Sequence, residues 1–210
     1  MIKQKYFFIV ILCLIPGLSV FWGCTGTSPR TDYYVLNSLP GTDTENKSLK
    51  ERQGPAIGIG PLTMPPYLDR QQIVTRSGPN EVEIEEFHRW AEPLKSNIGR
   101  VLKDNLSTLL NTDHVVLFPW TRTARVEYQV FVDIERFDVG PAKEALLEVR
   151  WAIIRAADNE ILRIKKTSLT APIGSTGYAA IAAAQSQTLA DFSREVAASI
   201  SDIYDQEHGR

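Results

Sequence analysis

The chain has 210 residues, 43% of them hydrophobic, 9% aromatic and 23% charged, proportions that exclude a disordered, collagen-like or low-complexity chain and allow one generous domain or two small ones. Its 23 Lys and Arg against 25 Asp and Glu give a net charge of −2; the first 23 residues hold two lysines and no acid, so the remainder carries −4. A mildly acidic body without a block of Lys or Arg argues against nucleic acid as a partner, and two cysteines, both within the first 24 residues, make neither a disulfide framework nor a zinc site.

Lys3 and Lys5 form a short positive end ahead of the unbroken apolar run Tyr6–Ile15, and Pro16-Gly17 then breaks any helix. The run is short for a bilayer span and suits the centre of a secretory signal. A retained anchor reaching to Trp22 is the alternative. Two cleavage sites compete. Gly23-Cys24 resembles the end of a bacterial lipoprotein signal, in which the cysteine is lipid-modified, although Phe21 and Trp22 depart from its usual pattern. Gly17-Leu18-Ser19 is an ordinary small-x-small site that would leave Cys24 as a free thiol. A lone exported cysteine with no partner in the body is easier to explain as an acyl site than as half a disulfide. Cys13 lies inside the apolar run and reads as signal sequence. The expected division is a signal peptide over residues 1–23, a lipidated tether over 24–32 and one domain over 33–208, in an exported chain from a bacterium with a periplasm.

Tyr33–Leu39, rich in aromatic and β-branched residues, opens the body as a strand candidate. A polar loop from Pro40 to Gly54 follows, and then Ala56-Ile-Gly-Ile-Gly60, a strand whose glycines point to close backbone packing. Pro61 comes at once and no helix does, so Gly58 and Gly60 do not make a dinucleotide loop. Met64-Pro-Pro-Tyr-Leu-Asp-Arg70 is a stiff connection that exposes or docks Tyr67. Residues 72–76 and 81–85 alternate with period two around Ser77-Gly-Pro-Asn80 and predict a hairpin.

Pro93 suits the first turn of a helix, along which Leu94, Ile98, Val101, Leu102, Leu106 and Leu109 form an apolar stripe ending near Asn111. His114–Phe118 reads as a short buried strand. Arg125–Phe137, Glu144–Arg155 and Ile161–Leu169 read as a three-stranded meander. In the first of these, Val126, Tyr128, Val130, Val132 and Ile134 share a face; in the second Ala145, Leu147, Val149, Trp151 and Ile153 do. Ser175 or Thr176 can cap a second helix, whose stripe is Ile181, Leu189, Phe192, Val196, Ile200 and Ile203. The expected fold is α+β, one domain with a mostly antiparallel or mixed sheet and both amphipathic helices packed on one face. The opposite face mixes Glu127, Gln129, Asp133 and Arg150 with Phe131 and Ile154, and is either solvated or covered by another subunit.

Chemistry is sparse. There is no Gly-x-Ser-x-Gly elbow, no glycine loop with its Lys for nucleotide, and none of His88, His114 and His208 has metal-ligand spacing. No catalytic residue, cofactor or metal is predicted. His88-Arg89-Trp90 has two readings. In one, Trp90 covers the edge of the core and Arg89 pairs with Glu83, Glu85 or Glu92; in the other, Arg89 and Trp90 are interface anchors, as those residue types often are. Tyr67 on its proline platform has the same two readings.

Tyr34-Val-Leu, Pro66-Tyr-Leu-Asp-Arg70, Ile73-Val-Thr-Arg76, the run Glu86-Phe-His-Arg-Trp-Ala-Glu-Pro-Leu94 and the closing stretch Tyr178-Ala-Ala to Ile200 resemble the ABC-type transport auxiliary lipoproteins, the PqiC-like proteins. The resemblance runs through nearly all of the mature chain and supports Cys24 as the lipidated residue. It implies an accessory protein and not an enzyme, anchored in the outer membrane by its lipid and facing the periplasm. Its partners would be MCE-domain tunnel proteins or related ABC transporter components, its task lipid movement and envelope integrity, and a homo-oligomeric ring would suit it. Thr25 after Cys24, instead of Asp, is consistent with outer-membrane sorting. The resemblance brings no catalytic residue. Tyr67, Arg89 and Trp90 are the candidate partner contacts. Two rivals are a periplasmic lipid-binding carrier with an apolar cavity between sheet and helices, and a periplasmic hydrolase using His88 or His114.

Overall fold

The computed structural model describes residues 29–40, 54–121, 123–140 and 142–209. The signal segment, Cys24 and most of the loop expected over 40–54 lie outside the described residues. Thr31–Arg210 forms one compact unit. In chain order it holds β1 (Asp32–Tyr34), β2 (Ile57–Thr63), β3 (Gln72–Gly78), β4 (Glu81–Trp90), α1 (Leu94–Leu109), β5 (Val115–Leu117), β6 (Tyr128–Val139), β7 (Glu144–Arg155), β8 (Ile161–Pro172) and α2 (Tyr178–His208).

The expected meander is present: β6, β7 and β8 pair antiparallel, with Val130 opposite Ile153 and Trp151 opposite Lys165. Every second residue of β6 from Tyr128 to Ile134 is buried; a bulge between Ile134 and Arg136 then shifts the phase, so Phe137 and Val139 also turn inward. β2 enters this sheet in parallel beside β6, with β5 parallel at its outer edge, giving the mixed order β5-β2-β6-β7-β8. Both glycines of β2 serve close approach. A Cβ on Gly58 would lie 2.8 Å from the Trp120 ring, and Gly60, at φ +119°, faces the Phe118 Cβ in the same way.

Helix α2 lies on β6, β7 and β8, and α1 lies on β2 and β5, so both helices cover one face of the five-stranded sheet and touch each other. Trp151 is the main anchor: it meets the Phe192 ring edge-on at 6.1 Å, and its indole N–H donates to Thr167 at 2.9 Å. At the far end of α2, Tyr128 donates to Glu207, which also pairs with Arg155; these two bonds hold the Glu207 carboxyl below the usual carboxylate range. On the uncovered face, Glu135 pairs with Arg150 and Lys166 across the strands, while Phe131, Ala152 and Ile164 form an apolar row.

The structure departs from sequence expectation in five places. The hairpin β3–β4 does not join the main sheet; with β1 it makes a separate sheet of order β1-β4-β3. The strand expected over Tyr33–Leu39 pairs only over Asp32–Tyr34, because Leu36 and Leu39 then give their backbone N–H groups to Asn97 and Asn105 of α1 instead of to a strand. Neither Ser175 nor Thr176 caps α2. Its N-cap is Gly177 at φ +97°, a conformation that favours glycine and carries no side-chain cap. On α1, Pro93 is the N-cap itself, and Leu110 takes the buried place expected for Leu109, since Asn111 at φ 51° turns the chain only after it. His114, expected in a buried strand, precedes β5 and is exposed.

Candidate functional site

Of the residues singled out from the sequence, Tyr67 lies in the turn before β3 and His88, Arg89 and Trp90 end β4, all at the three-stranded sheet. Pro65 and Pro66 stiffen the turn after β2, which closes with Leu68 N–H donating to Pro65 O at 2.9 Å and buries Leu68 as its anchor. Tyr67, next to it, is half-buried against the core, and its hydroxyl accepts from Arg76 Nη2 at 3.4 Å. Arg76 continues from β3 to Asp138 of β6 through Nε at 3.2 Å, and Arg136 reaches the same carboxylate through Nη2 at 2.8 Å. Asp138 is wholly buried. This cluster ties the small sheet to the large one and fixes the position of Tyr67.

The Glu86–Leu94 run is a junction. Trp90 is only 2% exposed, in the cluster that also contains Leu36, Leu94 and Ile98, and its backbone N–H donates to Gln71 O at 2.6 Å. Trp90 is therefore a core residue, which corrects its reading as a partner contact: the last residue of β4 turns inward just before Pro93 starts α1 beneath it. Glu92 pairs with Arg100 at 2.7 Å and accepts from Asn97, so it steadies the start of the helix. Arg89 keeps 27% of its side chain exposed and pairs at 2.7 Å with Glu86, not with Glu83, Glu85 or Glu92. Such an exposed pair contributes at most about 1 kcal/mol to folding, so Arg89→Ala should leave the denaturant midpoint nearly unchanged. No hydrogen bond or ion pair joins Arg89 to Tyr67 among the described residues.

His88 lies in an aromatic cluster. Its ring stacks on Tyr178 at 3.8 Å, and its Nδ1 shares a 2.9 Å hydrogen bond with the Tyr34 hydroxyl. Tyr178 is held protonated, its hydroxyl pushed above the ordinary range by burial first, and then by its bond to the Glu85 carboxylate and the nearby charge of Glu83. The cluster fastens β1 and β4 to the beginning of α2, and so joins the two ends of the sequence resemblance. Among the described residues, no three His, Cys, Asp or Glu side chains converge as a metal site would require, and no helix is long and apolar enough to cross a membrane.

Two features escaped sequence reasoning. Asn97 and Asn105 are wholly buried, each accepting a backbone N–H at 2.7 Å, from Leu36 and Leu39 respectively, while Asn105 also donates to Ser193 of α2 at 3.0 Å. Their signal was two polar residues beside the apolar stripe of α1. The second feature is the set of exposed apolar side chains on β1 and β4, Tyr33 (63% exposed), Val82, Ile84 and Phe87, with Val35 just after β1. Tyr33 stands opposite Arg89 in the β1–β4 register, which places Arg89 beside the exposed Tyr33. The β3–β4 alternation was visible, but which of its residues would stay exposed was not.

No curated protein matches the sequence. Among solved structures the chain is similar to a crystal structure of an uncharacterized protein, at 17% identity and TM-score 0.67, covering 82% of this chain and 99% of that one. It is similar to the same degree to a DUF330 protein from Xanthomonas campestris, at 17% identity and TM-score 0.66, covering 84% of this chain and 99% of that one. These likenesses concern the fold. The family model for the ABC-type transport auxiliary lipoprotein component matches residues 34–197, from β1 well into α2. The chain belongs to the ABC-type transport auxiliary lipoprotein family.

Proposed function

We propose that the protein is a periplasm-facing accessory lipoprotein, anchored in the outer membrane through Cys24, that docks an MCE or related ABC-type lipid transport system there and supports envelope integrity. The observation that carries this reading is the family match over residues 34–197, combined with the exposed apolar side chains Tyr33 of β1 and Val82, Ile84 and Phe87 of β4. Exposed apolar side chains grouped on a small domain mark contact surfaces. Arg89 beside Tyr33 and Tyr67 on its turn are the contact residues of this reading, with a transporter component as the partner and neighbouring copies in a ring as a further contact.

The test is crosslinking and co-purification from native membranes. Arg89→Ala and Tyr67→Ala should each lower recovery of the transporter partner without unfolding the chain. Full recovery with both variants would move the docking surface elsewhere. The anchor is tested separately. Cys24→Ser removes the thiol that receives the diacylglyceryl group, so the protein should leave the membrane fraction, and mass spectrometry of the wild-type N-terminus should find an acylated Cys24. An unmodified start at Val20 would assign the ordinary cleavage site instead.

A further inference from the structure

Away from the three-stranded sheet, the first turn of α1 and the ends of β2 and β5 enclose an apolar trough of about 440 Å³. Its walls include Ile59, Leu62, Leu117, Phe118 and Pro119, and its floor includes Gly99. The size falls within the range of small-ligand sites. Phe118 is 55% exposed at the trough although the chain keeps most of its large apolar side chains buried, and water against such a surface is unfavourable.

The polar side chains of its lining are Lys95 and Ser96 on α1 and Thr63 at the end of β2. The Thr63 hydroxyl is taken up by Asp133, whereas Lys95 makes no ion pair or hydrogen bond among the described residues. The N-cap of α1 is Pro93, which supplies no side-chain bond, and its first turn contains no acid, so the N–H groups beside Lys95 lack a side-chain acceptor. Glu92, the acid nearest in sequence, is already engaged by Arg100 and Asn97. An ammonium without a partner among the described residues, beside helix N–H groups that no side chain caps, in a trough whose other walls are mainly apolar, fits a ligand with an anionic head and a hydrocarbon tail. A peptide fits less well. Its backbone donors and acceptors would face an apolar wall, and β5, three residues long and followed at once by Phe118-Pro119, offers little edge for strand addition.

We propose that this trough binds an anionic amphiphile, its acyl tail along Leu62, Leu117 and Phe118 and its headgroup at Lys95. The site is separate from the docking surface and does not depend on it. Gly99 provides the means to close it. A Cβ there would meet the Leu117 methyls at 3.7 Å, an ordinary contact, so Gly99→Leu extends into the trough without displacing backbone.

The experiment uses the full mature protein alone, reconstituted in phosphatidylcholine vesicles that contain a photoactivatable long-chain fatty acid or the matching fatty alcohol. Adducts are mapped by mass spectrometry. Adducts are expected on Leu117, Phe118 or Leu62, with the acid labelling roughly fivefold more than the alcohol, the preference that one exposed charge contact supports. Lys95→Glu should abolish that preference. Gly99→Leu and, independently, the surface change Phe118→Asp should reduce labelling at least about tenfold, since both remove the apolar channel, with an unaltered unfolding transition as the check on folding. Labelling elsewhere, equal labelling by acid and alcohol, or labelling insensitive to both trough variants would overturn the proposal. So would a photoreactive residue at position 118 that crosslinks to a transporter protein while the acid is excluded, because the trough would then be a peptide site. No transporter is present in the vesicle arms, so their outcome is independent of the docking experiment.

Discussion

Truncating Trp90 to alanine should cost about 3–5 kcal/mol of folding stability, the range for deleting a large buried aromatic side chain. Only 2% of the residue is exposed, and it packs in one cluster with Leu36 from the segment after β1 and with Leu94 and Ile98 from α1. Its removal leaves a cavity where three elements meet, and those elements are held in place partly by the hydrogen bonds of Asn97 and Asn105. The surrounding atoms cannot collapse freely into that space. Urea unfolding measures the loss directly. At conditions where the variant is still fully folded, partner recovery should equal that of the wild type, because the residue is almost wholly buried. A cost below about 1 kcal/mol with a large loss of partner would mean that the ring turns outward in the assembled protein. Arg89→Ala is expected to show the reverse pattern, a small change in stability and a large change in recovery. The pair of variants thus separates folding from recognition within two adjacent residues.

That contrast shows where the sequence was legible. The β6–β7–β8 meander and both helices were readable because each is a local pattern: period two in Tyr128–Ile134, a 3.6-residue stripe in Leu189, Phe192, Val196 and Ile200. Short turns connect the three strands, so pairing followed from order alone. The second sheet was not readable, since β1 pairs in parallel with β4 across 56 positions, Asp32 standing opposite His88, and nothing local to Asp32–Tyr34 names that partner. Trp90 could be weighed but not placed. In an alternating strand, one step decides whether Phe87 or Trp90 faces out, and β4 pairs irregularly with β3 over this stretch, Gln72 standing opposite Arg89 and Val74 opposite Ile84. The link from Tyr67 through Arg76 to Asp138 was hidden for the same reason. Pro66–Arg70 and Ile73–Arg76 carry the resemblance, yet the carboxylate that joins them lies on β6, in a strand whose own pattern gives no hint of an ion pair.

Asp138 is the second position at which one side chain should have a large effect. Its carboxylate is wholly buried and holds two guanidinium groups, Arg76 of β3 and Arg136 of β6, whose side chains are only 15% and 30% exposed. Asp138→Ala leaves two positive charges side by side without their counter-charge in a partly desolvated place, and breaking one partner of such a buried arrangement costs about 3–5 kcal/mol. Asp138→Asn keeps the shape and removes the charge, so its loss relative to Asp138→Ala measures how much of the effect is electrostatic. Arg136→Ala should cost clearly less, because the Arg76–Asp138 pair survives it. The effect should also reach the surface. Arg76 reaches the Tyr67 hydroxyl with Nη2, so an Arg76 released from Asp138 no longer fixes the turn after β2. Asp138→Ala should therefore weaken partner recovery in proportion to the effect of Tyr67→Ala, even where the chain is still folded. Replacing Arg76, Asp138 and Arg136 together by apolar residues of similar volume should restore most of the stability, since the desolvation cost of the three charges disappears with them. It should not restore recovery, because the hydroxyl of Tyr67 then has no donor. Stability and recovery that return together in the triple variant would show that the charges matter only for holding the two sheets in place, and that the orientation of Tyr67 does not contribute to docking.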